Sequence, residues 1–448
     1  MRLSGVLILI VAVWLGFVTP VSAGVVRYEG EIDGAKYRVM VPSNWNGTLV
    51  LWSHGTYGSA PSRIALTSQP ATEDYLLARG YALGASSFRT VVGWSIEDGL
   101  RDQVKLLDWF KRTIGHPRRT ISAGESVGGM TATALAERNP QWFDGVMALC
   151  GPFAGGIAFW NTNLDLMFAL RTLLDADFDL VRIRDPQANQ TKVFTLIDGA
   201  MKGDKATRAR VALASALADL PGWFDPTKPR PTSLDEQVDW LGFWARYYKS
   251  GTAGVARSDM ERWAGGNPSW NTGVDYRTVL ARSSEFGLVK QVYAAAGLNI
   301  DKDLDRLAQA PRVTPDPKAV GYLARTSVPF GVNPWPVVTL HNVADGATPL
   351  SNDRVYADRV WNPDNLRQYQ INRPGHCTFT ASEEITAFQS LIRRLDSGRW
   401  SATDPASLNT AASGHGPEAQ LIFSQLTDEF LPARPAFAPH RPGSFPRA

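Results

Sequence analysis

The chain is poor in cysteine and in long apolar runs, and its charge is nearly balanced. It has two cysteines among 448 residues, and no cluster of cysteine and histidine has the spacing of a zinc site. It also has no glycine-rich phosphate-binding loop, no EF-hand loop and no internal repeat. The formal net charge of +3 gives no electrostatic reason to expect nucleic acid or a membrane as a partner. We therefore expect no metal and no other cofactor.

Residues 1–23 have the pattern of a secretory signal peptide. Arg2 provides the positive start, residues 6–18 form the apolar core, and Val21-Ser22-Ala23 is a small-residue cleavage site. The apolar core is shorter than most membrane-spanning helices, although an uncleaved anchor is the alternative. The rest of the chain has no comparable apolar run. We therefore predict a secreted protein, extracellular or periplasmic, whose mature form has no stable membrane span.

A Gly-x-Ser-x-Gly motif at 124–128 is the strongest functional signal. It follows an apolar, strand-like segment at 120–123 and precedes a helix-like run at 130–138. A serine on a sharp strand-to-helix turn is exposed to substrate, and the flanking glycines keep side chains out of the tight turn. The pattern predicts that Ser126 is a nucleophile. An ordinary glycine-rich loop is the alternative.

An aspartate and a histidine follow two further strand-like segments. Asp345 comes after the apolar segment 336–341, and His376 follows the segment 365–372 through a Pro-Gly turn. Both lie where a predicted strand ends, as Ser126 does, and open α/β sheets bind ligands at that edge. The chain order Ser126, Asp345, His376 is that of the α/β-hydrolase triad.

On these residues the chain resembles the α/β-hydrolase family of serine hydrolases. Its Gly-Glu-Ser-Val-Gly-Gly elbow is similar to that of carboxylesterases, and His54-Gly55 is similar to the family's oxyanion-loop motif. The resemblance covers about 24–160 and 330–400. It implies that Ser126 attacks a carbonyl, that His376 accepts the proton, and that Asp345 orients the histidine.

The resemblance also implies an oxyanion hole. The N–H of Val127, directly after the serine, is the first expected donor, and the N–H of Thr56 is the second, with Tyr57 as its alternative. The loop lacks the His-Gly-Gly-Gly form, so the sequence does not decide which of these two neighbouring residues is the second donor. His54 is a weaker candidate for the base, because a histidine in this loop usually fixes it by hydrogen bonds.

Alternating strand-like and helix-like segments predict an α/β fold with a mostly parallel central sheet flanked by helices. We expect an α/β-hydrolase core at 24–150 and 331–400, an insertion at 151–330, and a Pro/Ala-rich C-terminal extension at 401–448. The core should begin with a hairpin at 25–42 and end with a helix opened by a capping box, Thr380 to Glu383. Within the extension we expect a short helix at 418–430 and an extended or disordered end.

The insertion is predicted to be a mainly helical cap over the site. Its segment 237–248 is rich in aromatic residues, including Trp240 and Trp244. Most of these rings are expected in the cap's own core, and one or two are expected to line the substrate pocket.

Several other ionisable residues are weaker candidates for the site. Asp353 and Asp358 are rivals of Asp345, but both lie in a helical-looking stretch, and His341 is expected to be a buried supporting residue. Glu125 is expected beneath the elbow with an electrostatic influence on His376; direct contact with substrate is the alternative.

The two cysteines are predicted to form a disulfide. Cys150 follows the segment 144–149, which should lie beside the elbow strand, and Cys377 follows His376, whose loop must reach Ser126. Both sulfurs should therefore lie near the site, within the short separation that a disulfide requires. Two buried free thiols are the alternative.

The sequence thus predicts a serine hydrolase that cleaves a carboxylic ester of a small-molecule or short-chain substrate through an acyl-enzyme. An amidase or short-peptide hydrolase with the same triad is the alternative with the same mechanism. A non-catalytic binding protein on a hydrolase scaffold is the alternative of a different class. The fold alone names no substrate.

Overall fold

The computed structural model describes residues 24–439, 441–445 and 447. The predicted signal peptide, 1–23, lies outside these residues. Among them, none of the helices combines the length and the apolar character that a bilayer crossing requires.

A central sheet organises the described part of the chain. Its strands are β1 (Val25–Ile32), β2 (Ala35–Pro42), β3 (Thr48–Ser53), β4 (Ala82–Ser86), β5 (Arg119–Glu125), β6 (Gly145–Leu149), β7 (Val337–Ala344) and β8 (Leu366–Pro374). Near the C-terminus, β9 (Leu421–Ser424) and β10 (Glu429–Pro432) form a separate hairpin, and β11 (Phe437–Ala438) completes the sheet. The strand order is β1-β2-β4-β3-β5-β6-β7-β8-β11.

Helices connect these strands. Those of the sheet region are α1 (Pro70–Ala78), α2 (Ile96–Thr113), α3 (Val127–Arg138), α13 (Ser351–Arg359), α14 (Ala381–Ser397) and α15 (Pro405–Ser413). Between β6 and β7 lie α4 (Gly156–Leu173), α5 (Pro186–Met201), α6 (Lys205–Leu217), α7 (Leu234–Phe243), α8 (Val255–Ala264), α9 (Tyr276–Arg282), α10 (Phe286–Ala295), α11 (Ile300–Gln309) and α12 (Pro317–Thr326).

The sheet is mostly parallel because helical crossovers join its central strands. Strands β3 to β8 pair in parallel, whereas β1, β2 and β11 pair antiparallel with their neighbours. Every residue of β3, β4 and β6 is buried, as expected for strands covered on both faces. Successive side chains alternate between two apolar clusters: Val50 belongs to one with α1 and α14, and Leu51 to the other with α2 and α3.

The stretch between β6 and β7 has a hydrophobic core of its own. That core is built from the helices α4 to α7 and α9 to α11, and Trp244 is fully buried in it. Trp240 packs against the same core. A Cβ atom on Gly346 would lie 2.3 Å from the Trp244 ring. This ring therefore supports the loop after β7 rather than facing a substrate.

The C-terminal end differs from the sequence-based expectation. The predicted helix at 418–430 is wrong, because residues 421–432 form the β9–β10 hairpin. Ile422 and Ser424 are buried while Phe423 between them is exposed, which is the alternation of a strand. The end was expected to be extended or disordered, and Phe437 and Ala438 are extended there, since they pair with β8 at the open edge of the sheet.

Candidate active site

Ser126 stands on a sharp turn between β5 and α3. Its φ of 55° and ψ of −131° are strained for a residue other than glycine. A Cβ atom on Gly124 would lie 2.4 Å from the carbonyl oxygen of Gly128, and one on Gly128 would lie 2.1 Å from that of Ser53. Only glycine fits these two positions, which gives the motif its spacing.

The structure brings Ser126, His376 and Asp345 into one hydrogen-bonded row. His376 Nε2 lies 2.8 Å from Ser126 Oγ, and His376 Nδ1 lies 2.8 Å from Asp345 Oδ2. An ionised carboxylate can only accept, so Nδ1 carries the hydrogen and Nε2 is free to accept from the serine hydroxyl. This is the tautomer that a base acting on Ser126 needs.

The Asp345 carboxylate is buried and has several donors besides His376. The backbone N–H groups of Ala347 and Thr348 donate to Oδ1 at 2.8 and 3.0 Å. Thr348 Oγ lies 3.2 Å from Oδ2, and the hydroxyl also donates to the carbonyl oxygen of Cys150 at 2.8 Å. Burial disfavours the charge, but the two nearby histidines, His376 and His341, hold the pKa of Asp345 well below its usual range. Asp345 therefore stays ionised opposite His376.

A buried lysine from the stretch between β6 and β7 lies near the same loop. Lys249 Nζ donates to the carbonyl oxygen of Ala347 at 2.7 Å and lies 5.0 Å from the centre of the Phe159 ring. Burial lowers the pKa of Lys249 to about 7, against the opposing effect of the Asp345 charge.

The structure contains the predicted disulfide between Cys150 and Cys377. Their Cα atoms are 5.4 Å apart, and the bond joins the end of β6 to the loop that carries His376. Among the described residues, one group has ligand atoms close enough for a metal ion: Cys150, His376 and Cys377. Both sulfurs of that group are in the disulfide, so they are unavailable as thiolate ligands.

The His54-Gly55 loop lies directly against the serine. A Cβ atom on Gly55 would be 3.1 Å from Ser126 Cβ. The His54 ring is stacked between Tyr57 and Phe88, and its nitrogens contact the carbonyl oxygens of Gly55 and Ser87 at 2.6 and 3.2 Å. Its hydrogen bonds thus go to the backbone, and burial lowers the pKa of His54.

A cavity of about 330 Å³ opens over Ser126. One wall comes from the loop after β3, with Gly55, Thr56, Tyr57, Ser68 and Gln69. The elbow and the histidine loop supply Glu125, Ser126, His376 and Cys377, and the C-terminal hairpin supplies Phe423, Gln425 and Phe430. None of these residues lies within 151–330, so the expectation that aromatic rings of the insertion line this pocket is wrong. Those rings pack on one another instead.

Two glutamates, one in the cavity wall and one behind it, have raised pKa values. Glu125 is partly exposed in the cavity, and desolvation raises its pKa to about 7 although His376 opposes the shift. Glu384 is buried behind the wall and accepts hydrogen bonds from Ser68 and from Thr72, the latter at 2.7 Å. Burial raises the pKa of Glu384 to about 8, against the effect of those bonds. Glu125 therefore contributes to the wall rather than lying beneath the elbow.

The other acidic candidates do not reach His376. Asp353 Oδ1 is 2.8 Å from His341 Nδ1, whereas Asp358 pairs with Arg354 on the surface. The contribution of the hairpin to the cavity, including Phe423 and Phe430, was not predicted. Its strands Leu-Ile-Phe-Ser and Glu-Phe-Leu-Pro do not alternate between apolar and polar residues, so the sequence carries no clear strand signal there.

Comparisons with known proteins give the following similarities. No family model matches the chain. It is 28% identical over 430 residues to an o-phthalyl amidase of Xanthobacter agilis, covering 87% of this chain and 92% of that protein. It is similar in structure to an esterase from Aspergillus oryzae, with 11% identity, a TM-score of 0.41 and coverage of 94% and 89% of the two chains. It is also similar in structure to feruloyl esterase B from Aspergillus oryzae, with 13% identity, a TM-score of 0.39 and coverage of 93% of this chain and 87% of that chain.

Strand order and the positions of the turns identify the fold. An antiparallel hairpin precedes parallel strands in the order β4-β3-β5-β6-β7-β8, with helices as crossovers. The elbow follows β5, Asp345 follows β7, and His376 follows β8. The chain therefore has the α/β-hydrolase fold.

Proposed function

We propose that the protein is a serine hydrolase that transfers an acyl group from a carboxylic ester or amide to Ser126 and then to water. The observation that carries the proposal is the His376 ring, hydrogen-bonded to Ser126 Oγ and to Asp345 Oδ2, both at 2.8 Å, beside a cavity. A buried carboxylate, an oriented imidazole and a strained, accessible serine are the parts that acyl transfer requires.

In the proposed reaction, Ser126 Oγ attacks the carbonyl carbon while His376 Nε2 takes the hydroxyl proton. The imidazolium, stabilised by Asp345, then protonates the leaving oxygen or nitrogen, and a water molecule hydrolyses the acyl-enzyme in the same way. The oxyanion would accept N–H bonds from Val127 and from Thr56 or Tyr57. Val127 begins α3, where backbone N–H groups have no partner within the helix, and the 55–57 loop abuts Ser126.

The leaving group separates two versions of this proposal. The similarity to an o-phthalyl amidase supports cleavage of an amide with an aromatic acyl group. The rings of Phe423 and Phe430 on the cavity wall suit such an acyl group. The second candidate is an ester of the same acid, which the same triad would cleave and which has the better leaving group.

Matched substrates test the proposal. Purified protein should be assayed with pairs of nitrophenyl esters and nitroanilides that share one acyl group, either benzoyl, 2-carboxybenzoyl or butyryl. We expect turnover of aromatic acyl groups, and anilide turnover that depends on Ser126. The absence of turnover on every pair, together with no labelling by a fluorophosphonate, would favour the non-catalytic alternative.

Export from the cytoplasm is part of the proposal. It is supported by the signal-like residues 1–23 and by the disulfide, since such bonds persist in oxidising compartments. Sequencing the N-terminus of the secreted protein tests it, with Gly24 as the expected first residue.

A further inference from the structure

His341 and Asp353 form a buried pair behind Asp345. His341 lies on β7 and Asp353 on α13, and both side chains are shielded from solvent. Nδ1 of His341 is 2.8 Å from Asp353 Oδ1, and Nε2 is 2.7 Å from the carbonyl oxygen of Thr348. The same Nε2 is 3.6 Å from Asp345 Oδ2.

Both ring nitrogens of His341 thus face strong acceptors. A carboxylate and a backbone carbonyl each need an N–H, and a neutral imidazole has a single one. A neutral ring would leave a nitrogen lone pair against a buried acceptor, which is costly where water is absent. An imidazolium donates to Asp353 and to Thr348 together, and a carboxyl is the more acidic partner, so the proton belongs on the ring.

The charged groups around the His341 ring favour its positively charged form. Burial opposes a charged ring, but the Asp353 and Asp345 carboxylates outweigh it and raise the pKa of His341 to about 10. Beyond Asp345 lie His376 and, at the end of the π-helix Trp244–Lys249, the Lys249 amine. The row therefore runs Asp353, His341, Asp345, His376, with negative and positive groups alternating when His376 is protonated.

We propose that His341 is held as an imidazolium by Asp353 and is a positioning residue for Asp345. This inference rests on the proposed function for its catalytic consequence. The ring donates to the Thr348 carbonyl, and Thr348 donates its backbone N–H to Asp345, so one residue links the ring to the carboxylate. The positive charge near Asp345 also opposes protonation of His376, which keeps the base free at lower pH.

The protonation state can be measured without any turnover. In ¹⁵N-histidine-labelled full-length protein, the resonance that disappears in His341→Gln should show two protonated ring nitrogens from pH 5 to pH 8. The chain has six histidines, which makes this assignment practical. A lone unprotonated ring nitrogen at that residue, or a titration within this range, would overturn the proposal. If His341→Gln does not fold, through-bond correlations within β7 assign the ring in the unmodified protein.

Asp353→Asn tests the catalytic consequence. The new amide can donate to Nδ1, so His341 becomes neutral while its Nε2–H remains on Thr348. The substitution removes the Asp353 negative charge together with the His341 positive charge, but the positive charge is the nearer of the two to Asp345 and His376. Its loss therefore dominates and makes His376 easier to protonate, so the acidic limb of the kcat/KM profile should move up by roughly half a pH unit. Asp358→Asn is the control, because Asp358 lies on the same helix but is exposed and bound to Arg354.

The outcomes separate this inference from the proposed function. An unshifted acidic limb in correctly folded Asp353→Asn would contradict the role assigned to His341. A protein that hydrolyses nothing would contradict the proposed function, while the nitrogen spectrum would still decide whether the imidazolium exists.

Discussion

Gln425 donates its side-chain amide to the backbone carbonyl of His376 across 2.9 Å. Gln425 lies in the turn of the β9–β10 hairpin and also accepts a hydrogen bond from the Tyr248 hydroxyl. One side chain thus connects the C-terminal hairpin, the helical stretch before β7 and the proposed base. The hairpin is therefore a structural part of the site.

Ser126→Ala should abolish hydrolysis and leave the fold unchanged. The hydroxyl is the proposed nucleophile, and its loss in serine hydrolases lowers kcat by roughly several powers of ten. Steady-state kinetics and melting temperature measure the two effects. Mass spectrometry should locate a fluorophosphonate adduct on Ser126 in the unmodified protein. Retained turnover in the variant, or an adduct elsewhere, would show that the nucleophile has been misassigned.

Asp345→Asn should lower kcat by about four powers of ten, by analogy with serine proteases. Asparagine keeps the shape but no longer enforces the N–H on Nδ1 of His376. Asp353→Asn is the comparison, and its kcat should fall by less than about tenfold at pH values above the acidic limb. The opposite ranking of the two variants would make Asp353 the functional acid.

Reducing the Cys150–Cys377 bond should impair activity before it unfolds the protein. The bond closes a loop of 227 residues, for which chain entropy predicts a contribution of up to about 5 kcal/mol. It also anchors the residue next to His376. Activity and circular dichroism should be followed together during titration with a reductant. Two reactive thiols in denatured, unreduced protein would refute the bond.

Phe430→Ala should raise KM for aromatic acyl substrates by roughly twofold to tenfold, from about 0.5–1.5 kcal/mol for a lost aromatic contact. Phe430 separates the cavity over Ser126 from a second one of about 450 Å³, and both cavities are also lined by Gln69. Leu426→Ala is the control, since Leu426 is exposed in the same hairpin turn and lines neither cavity. Equal KM changes for aromatic and short alkyl substrates would count against an aromatic subsite.

Glu384→Gln should become more stable relative to the unmodified protein as pH rises. The folded state binds the Glu384 proton with a pKa of about 8, above the ordinary value of 4.5. The stability that this proton contributes is therefore present at low pH and falls as pH rises from about 4.5 to about 8. Glutamine does not titrate, so the difference in unfolding free energy should change by an amount on the order of a few kcal/mol over that range.

Denaturant unfolding at pH 5 and pH 8.5 measures this difference. Glu418→Gln is the matched control, because Glu418 is exposed near the same wall. A difference for Glu384→Gln that is independent of pH would show that the carboxyl is not protonated in the folded state.

Local patterns in the sequence predicted the elements that depend on near neighbours. The capping box of α14 is present, with Thr380 accepting from Glu383 N–H and Glu383 accepting from Thr380 N–H. The hairpin turn at Asp33-Gly34 has positive φ at both residues, as its Asp-Gly sequence indicates. The elbow could be predicted because its motif is local in sequence, and Gly124 meets Gly128 within the turn; both glycines also meet Ser53 at the end of β3, a contact that the spacing does not show.

Contacts between distant segments were beyond such patterns. Glu384 meets Ser68 and Thr72 across more than 300 residues, and no spacing in the sequence indicates that a buried carboxyl lies there. The pairing of β11 with β8 could not be predicted either, because it depends on which edge of the sheet is open. A strand of two residues is also too short to show a periodic pattern.

The sequence by itself determined the order of the elements, the serine turn and the two residues that complete the hydrogen-bonded row, because each sits at the end of a recognisable strand. Only the tertiary structure decided that the hairpin, rather than the aromatic helices of the insertion, lines the cavity, and that Asp353 turns to His341 instead of His376. Hydrophobic periodicity specifies which face of an element is buried, but not which of several buried faces it meets. That choice is made by the packing of the whole chain.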